Sequence, residues 1–215
     1  TAVEVAVDLA NLGMIKACLA AVIIRGGQSL ETVVAGIAKD AGIKLANGTT
    51  ITAEALVETA FNHFARAREL GPTLMTVKTS KAISLRHLAE ARMVATGDHA
   101  AHVADLRLAA LELDMVVTAE RDTMGTVDAL ALAGSLHASI ASSLQMGSAL
   151  ASEVLSHAQR ALDILRRAAA VDADAELVRL NLANPLLLVA TVSGDGSPAT
   201  IAALRECLTV SREAA

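Results

Sequence analysis

Residues 20–25 run Ala20-Ala21-Val22-Ile23-Ile24-Arg25 and stop at Gly26-Gly27. A short apolar run rich in β-branched residues and closed by glycines reads as a buried strand. Two further segments carry the same signal. Thr73 to Thr79 follows a Gly71-Pro72 stop, and Asp114 to Thr118 reads Asp-Met-Val-Val-Thr. Between them lie helical patterns. Ser29, with Glu31 in the first turn, opens a helix to about residue 41, and Asn47-Gly48 marks a turn. Thr52 caps the clearest helix, which runs to Leu70. Leu56, Ala60 and Phe64 repeat every four residues on it, with Val57 and Phe61 beside them. Ser84 is expected to cap a helix to about Val94. Further helical patterns cover about 99–112, 127–170 and 199–213, with Asn184-Pro185 breaking the segment between the last two. Strands alternating with helices predict a helix-rich α/β fold around a parallel or mixed sheet, in a single domain over 1–215. An all-α bundle is the alternative, because helix dominates and each strand is short.

Composition narrows the function classes. Of the 215 residues, 53% are hydrophobic and 19% charged, which excludes disorder. Net charge is -5 and the basic residues are scattered, so no nucleic-acid footprint is expected. There are two Phe, no Tyr and no Trp. The core must be Ala, Leu, Val, Ile and Met, and such small side chains allow helices to approach closely. Cys18 and Cys207 form no metal-spaced motif and read as buried thiols of a reducing, cytoplasmic compartment. No basic segment followed by an apolar core marks a signal peptide at the N-terminus. Residues 129–152 carry no formal charge, but they include Gly134, His137, Gln145, Gly147 and six Ser and lack an aromatic belt. They read as a buried small-residue helix, with no membrane partner expected.

No self-sufficient catalytic motif is present: no GxxxxGK[ST], GxGxxG, GxSxG or HExxH. Arg25-Gly26-Gly27 could be a phosphate-binding turn, though a glycine pair after a strand is more often a plain turn. Asp98-His99-Ala100-Ala101-His102 is the most polar cluster. Its two His share a helix face by spacing, but a metal site needs three or four converging ligands.

From residue 22 onward the chain resembles the β-decarboxylating dehydrogenases, the isocitrate and isopropylmalate dehydrogenase family. The anchors are Val22-Ile23-Ile24-Arg25, Ala35-Gly36-Ile37, Ile51-Thr52, Ala60-Phe61 with Phe64 to Arg68, Gly71 and Thr76-Val77-Lys78. In the family's order there follow Asp98 to Ala101, Leu113 to Thr118, Leu132 to Leu136, His157 with Asp163-Ile164, and Ala183-Asn184-Pro185. The resemblance implies NAD- or NADP-dependent, Mg²⁺- or Mn²⁺-dependent oxidative decarboxylation of a 2-hydroxy acid by a homo-oligomer. It assigns Arg25 to the substrate carboxylate, Lys78 to proton transfer, Asp98 to the metal, and His157 and Asn184 to the adenosine end of the cofactor. Departures from the family pattern bear on catalysis. Thr126 and Leu130 stand where the family has metal carboxylates, and Val34 stands where it has a catalytic Tyr. Weak or absent turnover of the isolated chain is therefore expected. A second resemblance, to the all-α histidine and phenylalanine ammonia-lyases, rests on Lys39 to Thr49, Arg121-Asp122 with Val127 to Ala129, and Asn184 to Leu186. The Ala-Ser-Gly from which that family forms its electrophile is missing before Asp8. A non-catalytic subunit or scaffold is the third possibility.

Overall fold

The computed structural model describes residues 1–26, 52–118, 123–194 and 198–213. Among them every regular element is helical and none is a strand. The α/β expectation is therefore wrong, and the all-α alternative describes the chain. The resemblance to the β-decarboxylating dehydrogenases falls with the sheet, since that family builds its site on one. So does the expectation of an NAD- and metal-dependent oxidoreductase. The chain divides into two compact units, Thr1–Asp98 and His99–Ala215.

In the first unit α1 (Ala2–Gly26) packs against both α2 (Ala53–Leu70) and α3 (Met75–Thr96). Ala6, Ala10, Gly13, Ala17 and Ala20 are buried on α1 at alternating spacings of four and three. This seam explains why residues 20–25 are not a strand. Ala17, Ala20, Ala21 and Ile24 follow the i, i+3, i+4, i+7 rhythm of a helix face, and all pack in one cluster with Leu56, Ala60 and Leu88. Two-residue alternation would split them between faces. The helix penalty of a β-branched residue is under about 0.7 kcal/mol, less than its burial returns. Residues 27–51, which hold the expected helix from Ser29, the Asn47-Gly48 turn and Val34, lie outside the described residues.

Helix α2 begins where the sequence placed it. Thr52 is extended, and its hydroxyl accepts the Ala55 N–H at 3.2 Å. Leu56, Ala60, Phe64 and Ala67 are buried, while Phe61 is only partly so. The second expected strand is instead a turn at Pro72-Thr73 leading into α3. Val77 is buried there, and the Thr79 hydroxyl donates back to the Met75 carbonyl at 3.0 Å, so a β-branched hydroxyl is satisfied without a sheet. Ser84 caps nothing. It lies buried in mid-helix and donates to the Ser80 carbonyl at 2.7 Å. Gly97, at φ 69°, closes α3 in the left-handed conformation that favours glycine.

In the second unit α6 (Val127–Met146) packs against α4 (His99–Glu112), the single turn α5 (Asp114–Val117), α7 (Ala151–Val171) and α8 (Glu176–Ser193), and α9 (Pro198–Glu213) packs on α8. The third expected strand, Asp114 to Thr118, is α5 and its cap. It is too short to bury both faces of a strand, and it buries only Val116 and Val117. Helix α6 is apolar nearly all round and buries twelve residues, which makes it the core of its unit. Leu130, one of the two positions where the dehydrogenases carry a metal carboxylate, is fully buried in it. Helix α8 continues through Asn184-Pro185, with Pro185 buried, so the expected break is absent. By length and composition α1 and α6 could each cross a membrane, and 33% and 67% of their most apolar windows are buried within the protein.

Gly134 sets the approach of α6 to α7. A Cβ there would lie 2.5 Å from Leu165 Cγ and 3.3 Å from the Ala161 carbonyl. Overpacking costs about 1–3 kcal/mol, partly offset by the roughly 1 kcal/mol helix preference of Ala over Gly. Gly134→Ala should therefore destabilise by about 1 kcal/mol. Denaturant titration measures it, and a stabilised variant would show that the two helices are not in contact at this point.

Candidate functional site

An open cleft of about 340 Å³ lies on α6 and α7 in the second unit, lined by His137, Ser156, His157, Gln159, Arg160 and Asp163. Helical spacing makes it. Ser156, Gln159, Arg160 and Asp163 lie three or four apart on one face of α7, while Val154, Ala158, Ala161 and Leu165 of the same helix are buried. His137 comes from α6, which carries no formal charge from Ala129 onward.

The two His rings meet through their nitrogens. His137 Nδ1 and His157 Nδ1 are 3.1 Å apart, and the ring centroids are 5.3 Å apart. Because the nitrogens are so much closer than the centroids, the rings approach edge to edge. At that distance one Nδ1–H donates to the other ring's Nδ1 lone pair, which requires at least one neutral ring. Burial, first, and then the neighbouring His157 and Arg160 push His137 down to about 4, against the opposing pull of Asp114. His157 is also lowered, by burial and then by Arg107, with Glu153 acting the other way. Both rings are therefore neutral at pH 7. The ring that donates through Nδ1 keeps a free Nε2 lone pair, and the ring that accepts keeps an Nε2–H. The pair thus offers the cleft one acceptor and one donor. A metal ion on the line between the two nitrogens does not fit, since imidazole nitrogens bind zinc at about 2.0–2.1 Å each.

The residues singled out in the sequence occupy separate settings. Arg25 ends α1 and faces Glu90 of α3 at 3.9 Å. Lys78 is half-buried on α3, and Asp98 is exposed at the end of the first unit, its N–H donating to the Thr96 hydroxyl. Asn184 of α8 donates to the Ser142 hydroxyl on α6 at 3.1 Å. Only His157 lies in the cleft. His99 and His102 fall on α4, by a smaller hollow that His99 lines with Val103, Arg107 and Ser143. The described residues contain no group of three or more His, Cys, Asp or Glu able to hold a metal. His137 was missed as a functional residue. The available signal was an ionisable ring in a 24-residue stretch without formal charge, where an ionisable group is costly unless paired. Set against protein-family models, curated proteins and solved structures, the chain matches none of them.

Proposed function

We propose that the chain is a non-catalytic helical scaffold subunit that works through the outward face of α1. One observation carries this. On a helix whose opposite side is a buried small-residue seam, Val5, Leu12, Ile15 and Val22 remain 49%, 41%, 55% and 51% exposed. Isolated exposed apolar residues are ordinary, but four on one face of one helix form a patch of the kind that marks interaction surfaces.

The double variant Leu12→Glu/Ile15→Glu, compared with the parent in solution dilute enough that copies of the chain are apart, tests it. A free face contributes little to stability, so the thermal midpoint should stay within about 2 °C of the parent, given that surface substitutions stay within about 0.5 kcal/mol. Binding of the dye bis-ANS, which reports exposed apolar surface, should fall. A drop in midpoint of the size a core substitution causes would show that this face belongs to the fold. Release of ammonia from histidine or phenylalanine by the purified chain would overturn the non-catalytic assignment.

A further inference from the structure

Building on the scaffold function above, we infer that α1 pairs antiparallel with α1 of a second copy of this chain, about a two-fold axis between Leu12 and Ile15. The exposed residues fall into a heptad. Val5, Leu12 and Leu19 are seven apart, and so are Asp8, Ile15 and Val22, giving the alternating three–four spacing of a coiled-coil seam. The buried Ala6, Ala10, Gly13, Ala17 and Ala20 occupy the opposite side of the helix, and of the heptad residues Leu19 also packs against the unit's own core. The buried seam faces α2 and α3, and among the described residues the heptad seam is left open to solvent at four of its six positions besides Asp8 and the half-buried Leu19.

The seam is its own complement when reversed. An antiparallel register centred between Leu12 and Ile15 sets Val5 against Val22 of the second copy, Asp8 against Leu19, and Leu12 against Ile15, then repeats these layers by symmetry. That is the isologous arrangement a two-fold dimer requires. Charge chooses the direction. Glu4 and Asp8 lie in the N-terminal half of α1, and Lys16 and Arg25 in the C-terminal half. Glu4 and Arg25 both flank the seam at equivalent heptad positions. Antiparallel pairing brings Glu4 of each copy beside Arg25 of the other, twice. It also sets Asp8 in the basic half of the second copy. Parallel pairing would place Asp8 against Asp8 inside the seam, and like charges so placed are destabilising. Nothing the two flanking residues now hold forbids the exchange. Glu4 is 75% exposed beside the Thr1 amine, and Arg25 stands 3.9 Å from Glu90, too long for a hydrogen bond. Lys16 is engaged with His63 at 2.9 Å and is not needed. The groove between Met14, Ile15, Cys18, Leu19 and Val22 is wholly apolar and holds about 270 Å³, room for the seam residues of a second helix.

Three measurements on the full chain decide it. Sedimentation equilibrium should give a dimer at micromolar concentration and a monomer for Leu12→Glu/Ile15→Glu. Arg25→Glu should weaken the dimer about tenfold, and adding Glu4→Arg should restore it, because two exposed charge pairs are reversed together. The third reads direction. Spin labels at Ala2→Cys, in a Cys18→Ser/Cys207→Ser background, should lie ~35 Å apart across the dimer at 1.5 Å rise per residue, whereas a parallel pair would hold them near ~10 Å. A monomeric parent, a dimer unaffected by the double Glu variant, or a short label distance would each overturn the pairing. A monomeric parent whose double Glu variant keeps its thermal midpoint would still leave α1 with a free face, so the scaffold function and the pairing fail separately. Binding of the monomer to vesicles of neutral phosphatidylcholine would assign the face to a lipid surface instead.

Discussion

Phe64→Ala should destabilise the first unit by about 4 kcal/mol. Phe64 is 2% exposed and lies in a cluster with Ala6, Ala10, Ala67 and Val77. Its ring tip occupies the space above Gly13, where an added Cβ would come within 3.1 Å of the ring and 3.0 Å of the Ala60 carbonyl. A truncated Phe leaves a cavity, and its cost depends on how far the surroundings relax into it. Here the fully buried lining is alanine methyls, glycine backbone and Val77, which adjust little, while the partly buried Leu9, Met14, Leu70 and Leu74 pack against the same cluster. The edge-to-face contact with Phe61, at 6.1 Å between centroids, is lost as well and is worth about 0.5–1.5 kcal/mol. Both point to the upper part of the usual 3–5 kcal/mol range. Thermal unfolding followed by helical circular dichroism reads it as a fall of more than ~15 °C for a unit of this size. An unchanged midpoint would mean that α1 does not close over α2 at Gly13.

That site also shows which parts of the fold were legible. The helix from Thr52 to Leu70 carried its own cap, its own stop and an apolar repeat of four, and each local signal agreed with the others. The strands did not exist, and their signal was of another kind. Ile23 and Ile24 sit at the end of a seam that begins at Ala6, with the exposed Val22 beside them, but alanine is weak evidence of burial, so the helical rhythm was hidden by the β-branched residues that end it. Thr73 to Thr79 and Asp114 to Thr118 were likewise read from side-chain type, whereas burial of Val77, Val116 and Val117 in helices decided their conformation. The ordered anchors shared with the dehydrogenases had the same weakness. Short apolar and Ala-rich blocks recur in helical cores of any origin, and none of the anchors required a strand. Of the candidate site, His157 was visible in the sequence, but its partner His137 was not, because pairing between α6 and α7 is a tertiary fact.

Acid should weaken the second unit through this His pair by about 1–2 kcal/mol between pH 7 and pH 5. An unfolded His titrates near 6.5, and His137 in the folded protein titrates at about 4. Between those values the unfolded state binds the extra proton, so stability rises with pH: the contribution is present above about 6.5 and is lost as pH falls towards 4. A shift of that size corresponds to about 2 kcal/mol at pH 5, and partial exposure of the ring to solvent lowers the figure. His157, also lowered, adds in the same direction. Protonating both rings would set two Nδ1–H donors against each other at 3.1 Å beside Arg160 and Arg107, with only Asp114 and Glu153 to compensate. The exposed ion pairs Arg107–Glu153 and Arg166–Glu206 contribute little each. His137→Leu isolates the effect, because leucine fills a similar volume in α6 and binds no proton. The parent's thermal midpoint should fall by about 5–10 °C more than the variant's between pH 7 and pH 5. Near pH 7 the two should differ by about one hydrogen bond, about 1 kcal/mol. Parallel midpoint curves for parent and variant across that range would show that the rings already carry their protons in the folded protein, and the neutral pair would have to be abandoned.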